Sequence, residues 1–432
     1  MTGDTAHWQA VLDAYQAVRR LPGVVAVVHE DARPVWTGVA GEADPELQYR
    51  IGSITKSLTA IAVMQCRDDG LIDLDEAVGR TIPETAMSAL SLRQLLSHTS
   101  GIRSEPAGPW WERSPGVGFA DLMAANGELS EPFAPGETFH YSNLGFALLG
   151  EVIARVRGAS WFEVLQERVL GPLGMARTTL LPVEGHHAQG WSVDHFAGTL
   201  TREPHQDTRA MAPAGQLWST AADLGLFVDF LARGDDRVLA DASREEMLRP
   251  VEDGYGLGIM VHPALSGGPG NELVGHSGSM PGFQACALIE HRSGRGLVAL
   301  TNATTGFTAE ELAARMLGSR TPPALERWRP SADVPAWARE LLGLWFWGNS
   351  AFGCRWHNER LEFVDLARSS VAEQFVSTDG RIVGHLGYHQ GETLEVRRGG
   401  DGAPISLECA TFVYTRTPYD PRVEIPGGHP AG

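Results

Sequence analysis

The run SRTPPALERWRPSADVP, residues 319–335, constrains this chain most, because its four prolines and interspersed charges cannot continue through a helix interior or a central strand. Upstream of it, helical and strand-like periodicities alternate. Downstream, only short alternating segments follow one another. The chain has 432 residues, more than the roughly 250–300 that one hydrophobic core usually organises. The reading is therefore a larger domain over residues 1–320, a linker over 321–335 and a β-rich domain over 336–432.

Within the larger part, residues 1–40 read as a short amphipathic helix followed by a hairpin, GVVAVVHED and ARPVWTGVAG, turning near Asp31. Residues 53–69 change to a helical period, with Leu58, Ile61, Ala62 and Gln65 three and four apart and Gly70 as a stop signal. Breakers crowd 101–139 and predict a loop-rich surface stretch. Helices are expected again at 144–156, after Tyr141-Ser142-Asn143, and from Ser219 to Leu231, opened by Ser219 or Thr220. YGLGIMV, NELVGHSG, FQACALIE and RGLVALTN between 255 and 302 read as antiparallel strands. The tail segments LEFVDL, QFVST, RIVGHLG, TLEVRR, ISLECA and TFVYTR, with DG, GG and QG turns, read as a small β domain. Trp345, Phe346, Trp347 and Trp356 are expected in its core. The fold class is thus α+β, an antiparallel sheet flanked by helices with a helical subdomain, followed by a small antiparallel β domain.

Charge and composition narrow the partners. Lysine and arginine total 35 against 53 acidic residues, giving −18 with the acids dispersed, which disfavours nucleic acid and anionic membrane as partners. No stretch offers the roughly 18 or more apolar residues of a membrane span, and the start lacks a basic segment followed by an apolar core; a soluble, cytoplasmic protein is expected. Cys66, Cys286, Cys354 and Cys409 stand far apart, which suggests buried free thiols instead of a disulfide framework or zinc knuckle. No cofactor and no metal are expected.

Ser53-Ile54-Thr55-Lys56 puts a hydroxyl and an amine three apart at the start of the strongest helix, where both share one face. A serine hydroxyl needs an adjacent base, and a lysine serves when burial depresses its pKa; the plainer alternative is a helix-capping serine beside a solvated lysine. Tyr141 and Asn143 stand just before the next helix, where a phenol can relay a proton; alternatively Asn143 caps the helix and Tyr141 packs. His276-Ser277-Gly278 lies beside a strand whose edge can present the imidazole to a substrate while Gly278 allows close backbone approach. The alternative is a solvated turn histidine.

Taken in order, Ser-x-x-Lys, Tyr-x-Asn and His-x-Gly resemble the serine β-lactamase and penicillin-binding-protein superfamily. The stretches YRIGSITKSLTA, LRQLLSHTSGI, FHYSNLGFALLGEVI, APAGQLWSTAADL and GHSGSMPGF carry the resemblance across about residues 20 to 305. It implies a β-lactamase/transpeptidase-like fold over 1–320, with a lipocalin-like barrel as one form for the tail domain. It implies that Ser53 attacks, Lys56 accepts its proton and Tyr141 shuttles protons with Lys56. It further implies that Asn143 orients the lysine or a substrate amide and that His276 takes the place of the basic third-motif residue. The N–H groups of Ser53 and Ser279 would form the oxyanion hole. His-Ser-Gly stands where many penicillin-hydrolysing members have Lys-Thr-Gly, so the chain looks more like the esterase, D-amino-acid peptidase or amidase, and peptide-cyclising thioesterase branches.

The expected function is therefore a serine hydrolase acting on an ester or amide of a small or peptide-like acyl donor. The alternatives are a thioesterase or transacylase that cyclises or transfers a peptidyl group and, from a different class, a catalytically inactive binding protein. Trp110 and Trp111 are expected to wall the acyl pocket, against the alternative that they anchor their loop to the core.

Overall fold

Seven of the eight residues of β1 (Gly23–Glu30) are buried, as fits a strand covered on both faces inside a sheet. This computed structural model describes residues 4–127, 132–252, 254–265 and 270–424. It divides into two units, one of residues 1–192 and 202–328, the other of 193–201 and 329–432.

In the first unit, α1 (Asp4–Arg19) leads into β1, and β2 (Arg33–Gly41) folds back on it through Asp31 and Ala32. Both turn residues have positive φ, 48° and 47°, the backbone a two-residue hairpin turn requires. Four later strands complete an antiparallel sheet: β3 (Met260–His262), β4 (Leu273–Met280), β5 (Phe283–Glu290) and β6 (Gly296–Thr301). The strand order is β2-β1-β6-β5-β4-β3. The first of these strands is shorter than the apolar run 255–261 suggests, since its backbone turns at Gly258, with φ of 71°, and pairing begins at Met260.

The helix expected at 53–69 is α2 (Ile54–Asp68), with residues 54–66 all buried. A helix buried all round must satisfy its polar side chains internally. Ser57 Oγ donates to Gly258 O at 2.7 Å and Thr59 Oγ1 to Pro213 O at 3.0 Å. α3 (Asn143–Arg157) packs against α2, while α4 (Ala221–Arg233) covers β5, β6 and β1. Thr220 caps α4 by accepting from Asp223 N at 3.2 Å, one of the two caps its sequence allowed. The stretch 101–139 is loop apart from the helix Phe119–Ala125 among its described residues. No helix among the described residues is long and apolar enough to cross a membrane.

The second unit is built of eight strands: β7 (Gly343–Trp347), β8 (Ser350–His357), β9 (Arg360–Asp365), β10 (Ser370–Thr378), β11 (Arg381–Leu386), β12 (Leu394–Arg398), β13 (Pro404–Cys409) and β14 (Phe412–Thr415). They form one antiparallel sheet in the order β11-β10-β9-β8-β7-β14-β13-β12. Its two end strands meet at the Val383–Thr393 bridge, so the sheet is a nearly closed barrel. Trp345 and Trp356 lie in its core with Phe363, Phe375 and Tyr414. Phe346 and Trp347 do not: Phe346 is half-buried outside that cluster, and Trp347, at the end of β7, is 45% exposed and stacks on Phe412. Trp356 N donates to Phe196 O at 2.6 Å, tying the 193–201 segment into this unit. The four cysteines are free and buried.

Candidate active site

Ser53 immediately precedes α2 with φ −65° and ψ −7°, and its side chain makes no capping bond. One turn on, Lys56 is wholly buried. Its Nζ lies 2.9 Å from Ser53 Oγ, 2.6 Å from Asn143 Oδ1 and 2.6 Å from Ala214 O. The two carbonyl oxygens can only accept, so they take two of the amine hydrogens and leave the third direction to the serine hydroxyl. Burial lowers the Lys56 pKa to about 7, against the upward pull of Glu105 and Glu112. Near neutrality the amine therefore exists in part as a free base whose lone pair faces Oγ.

The sequence allowed Asn143 as a helix cap, but Ser142 takes that role: its Oγ accepts from Gly145 N at 3.2 Å. Asn143 is thereby released to face Lys56 through its oxygen, while its Nδ2 donates to Glu105 at 2.7 Å. Tyr141 lines one cleft with Ser53, and burial pushes its phenol well above the ordinary value, with Ser53 pulling the other way. Its ring packs against His98, tilted by 35° at 4.1 Å between centroids, and Lys56 Nζ lies 4.9 Å from the ring centroid. Ser53, Lys56, Tyr141 and Asn143, distant in sequence, thus share one cluster.

His276 departs from its expected setting. It lies in the middle of β4, not at an exposed edge, and is wholly buried. Nδ1 faces Ser277 O and Nε2 lies 2.9 Å from the Tyr255 hydroxyl. A carbonyl only accepts, so Nδ1 carries the hydrogen and the phenol donates to Nε2, an assignment made from the hydrogen-bond network. Burial lowers its pKa to about 3, and Lys56 adds to the depression. The third motif therefore presents a neutral ring. His98 is likewise held neutral by burial, and its Nδ1 accepts from Ser142 N at 3.0 Å.

Gly278 is required by the approach of β4 to the start of α2. A Cβ there would lie 1.9 Å from Ile51 O and 3.0 Å from Ser53 N, and one on Gly52 would lie 2.4 Å from Ser279 N. The amides of Ser53 and Ser279 are accordingly neighbours at the mouth of a cleft of about 400 Å³, lined among others by Ser53, Tyr141, His276, Ser279, Met260 and Glu112.

Neither Trp110 nor Trp111 is among the residues lining that cleft. Trp110 is 58% exposed and donates through Nε1 to Glu112 at 2.8 Å. Trp111 packs against the core and donates to Glu105 at 2.6 Å. The indoles position carboxylates, and Glu112 reaches the cleft with its carboxyl pushed upward by burial. Glu105, Glu112, His98 and Tyr255 were missed in the sequence. His98 falls within LRQLLSHTSGI and Glu112 directly follows the tryptophan pair, but neither carries a spacing signal of its own.

A buried lysine against a serine hydroxyl at a helix start, beside an antiparallel sheet with a His-x-Gly strand, is the arrangement of the Ser-x-x-Lys serine hydrolases. The chain belongs to the serine β-lactamase and penicillin-binding-protein superfamily: residues 8–319 match the Beta-lactamase family. Residues 334–416 match a family described as a domain of unknown function. The chain is 30% identical to "Penicillin-binding protein 4" of Amycolatopsis lactamdurans over 366 residues, which is 74% of this chain and 93% of that relative. Among solved structures it resembles a D-stereospecific amidohydrolase from Streptomyces sp., with 30% identity, a TM-score of 0.58, and coverage of 72% of this chain and 97% of that one. An octameric penicillin-binding protein homologue from Pyrococcus abyssi shares the fold over 96% of this chain and 100% of its own, at 22% identity and a TM-score of 0.66.

Proposed function

We propose that the protein cleaves an ester or amide bond of a small or peptide-like acyl donor through an acyl-enzyme on Ser53. The observation that carries this reading is the buried amine of Lys56, 2.9 Å from Ser53 Oγ, with its pKa near neutrality. Lys56 takes the hydroxyl proton as Oγ attacks the carbonyl carbon. The N–H groups of Ser53 and Ser279 hold the developing oxyanion. The C–N or C–O bond then breaks, and the proton passes by way of Tyr141 to the leaving amine or alcohol. Water enters against the same base, its proton returns to Ser53 Oγ, and the acid is released.

Amide cleavage in a D-amino-acid series is favoured by the likeness to the Streptomyces amidohydrolase. The neutral His276 argues against a donor that must be held by its carboxylate at the third motif. Turnover of p-nitrophenyl esters and of paired D- and L-aminoacyl p-nitroanilides by intact protein and by Ser53→Ala tests the reading. Loss of turnover in the variant with a preference for the D series is the expected result. Equal rates for the two proteins would remove Ser53 from the chemistry.

A further inference from the structure

His389, Glu392 and Cys409 of the second unit each offer a ligand atom, and these atoms all lie within 4.8 Å of one another. Cys409 ends β13 and pairs across the ladder with Leu394, the first residue of β12. His389 and Glu392 belong to the turn that leads into β12. That turn is closed by Glu392 N donating to His389 O at 3.0 Å and by Gly384 N donating to Glu392 O at 2.8 Å. The imidazole is completely buried. Its Nδ1 lies 3.1 Å from Glu373 Oε1, while Nε2 is buried with no hydrogen-bond partner. A buried ring nitrogen left without a partner is destabilising, and a ligand would relieve it.

The support behind His389 is built around one carboxylate. Glu373 accepts from the ring and also from the backbone N–H groups of Tyr388 and His389, at 3.1 and 3.3 Å. Gly387, with φ of 105°, lets the turn fold over it: a Cβ there would stand 2.3 Å from Glu373 Oε2 and 2.4 Å from Ala372 O. With Nδ1–H given to the carboxylate, Nε2 keeps its lone pair. A carboxylate behind a histidine in this way fixes the tautomer and ring orientation of a metal ligand. Among the described residues no lysine or arginine forms an ion pair with Glu373 or Glu392. Glu392 is exposed while the other two ligands are buried, so a cation has an approach from solvent.

We propose that Nε2 of His389, Sγ of Cys409 and the carboxylate of Glu392 bind one divalent metal ion of the zinc type. One nitrogen, one sulfur and one oxygen suit Zn²⁺, and three protein ligands leave a fourth position for water. On binding, the Cys409 thiol proton goes to solvent and the thiolate takes its place on the metal. Cysteine spacing alone gave no hint of this, since the ligands meet only through the β12–β13 pairing.

The test uses the full chain, stripped with chelator and then offered Zn²⁺ or Co²⁺. Expected are one equivalent of zinc retained through gel filtration and a thiolate-to-cobalt charge-transfer band in the Co²⁺ form. Cys409→Ser should abolish the band, Glu373→Gln should weaken zinc binding by about 10–100-fold, and His389→Gln, which removes a ligand, should weaken it further. Glu392→Gln, at an exposed position, should keep the melting temperature of the stripped protein while losing most of its rise on adding zinc. Failure of the intact protein to retain zinc, or a cobalt band that survives in Cys409→Ser, would overturn the assignment.

Discussion

The Tyr255 hydroxyl donates to Nε2 of His276 across 2.9 Å inside the protein, so the third-motif imidazole is engaged as an acceptor and is not a free cation. Tyr255→Phe leaves that nitrogen buried and unpaired. The expected loss is about 1–3 kcal/mol of unfolding free energy, measured by urea denaturation. A change under about 0.5 kcal/mol, the range of an ordinary surface substitution, would show that the bond carries no weight. Activity toward uncharged esters should show no inflection from His276 near 6.5, because burial holds its pKa near 3.

Asn143 links two charged groups, accepting from Lys56 at 2.6 Å and donating to Glu105 at 2.7 Å. Asn143→Ala removes a bond to the amine worth about 1.5–3 kcal/mol, so kcat/KM should fall about 10- to 100-fold. Asn143→Asp places a carboxylate on the amine, favours its charged form and should move the acid limb of the pH–rate profile upward. A limb that stays in place in the aspartate variant would mean that the amine of Lys56 is not the titrating base.

The parts of this site legible in the sequence were those carried by local pattern. Ser53 and Lys56 are one turn apart on a strongly periodic helix, and Tyr141 and Asn143 sit at the start of another. What sets their chemistry was not local. Asn143 faces Lys56 because Ser142 takes the cap, a choice among three polar neighbours that propensity does not decide. His276 lies on the strand the pattern indicated, but its burial and its bond to Tyr255 depend on packing across the sheet. The tryptophan pair drew attention to a loop whose cleft-lining member is the adjacent Glu112. In the tail, alternation identified the later strands, while the near closure of the barrel depends on a single bridge between its end strands.

Glu112 puts an acidic group in the cleft and pulls the Lys56 pKa upward. Glu112→Gln removes that pull, so the amine loses its proton at lower pH and the acid limb of kcat/KM should shift downward. The same change should favour donors that carry a carboxylate, because a like charge in the cleft is gone. Rates of acylation by a penicillin and by a neutral ester, compared across pH in both proteins, check both effects. An unchanged limb together with an unchanged ratio of rates would place Glu112 outside the electrostatics of the site.

Burying Lys56 also has a signature in stability. Its pKa falls from 10.5 in the unfolded chain to about 7 in the folded one, so between those values the unfolded state binds the extra proton. Stability of the intact protein should therefore rise with pH through this window, by at most about 1.4 kcal/mol per pH unit from this group. Below about 7 both states carry the proton and the penalty is constant. Lys56→Met keeps similar length without a charge, so its stability relative to the intact protein should be most favourable near pH 7 and decline toward pH 10, although it has no acylation activity. Urea midpoints for the two proteins at pH 7, 8 and 9 measure the difference. Parallel profiles would mean that the amine keeps its ordinary pKa when folded, and would take away the physical basis for its acting as the base toward Ser53.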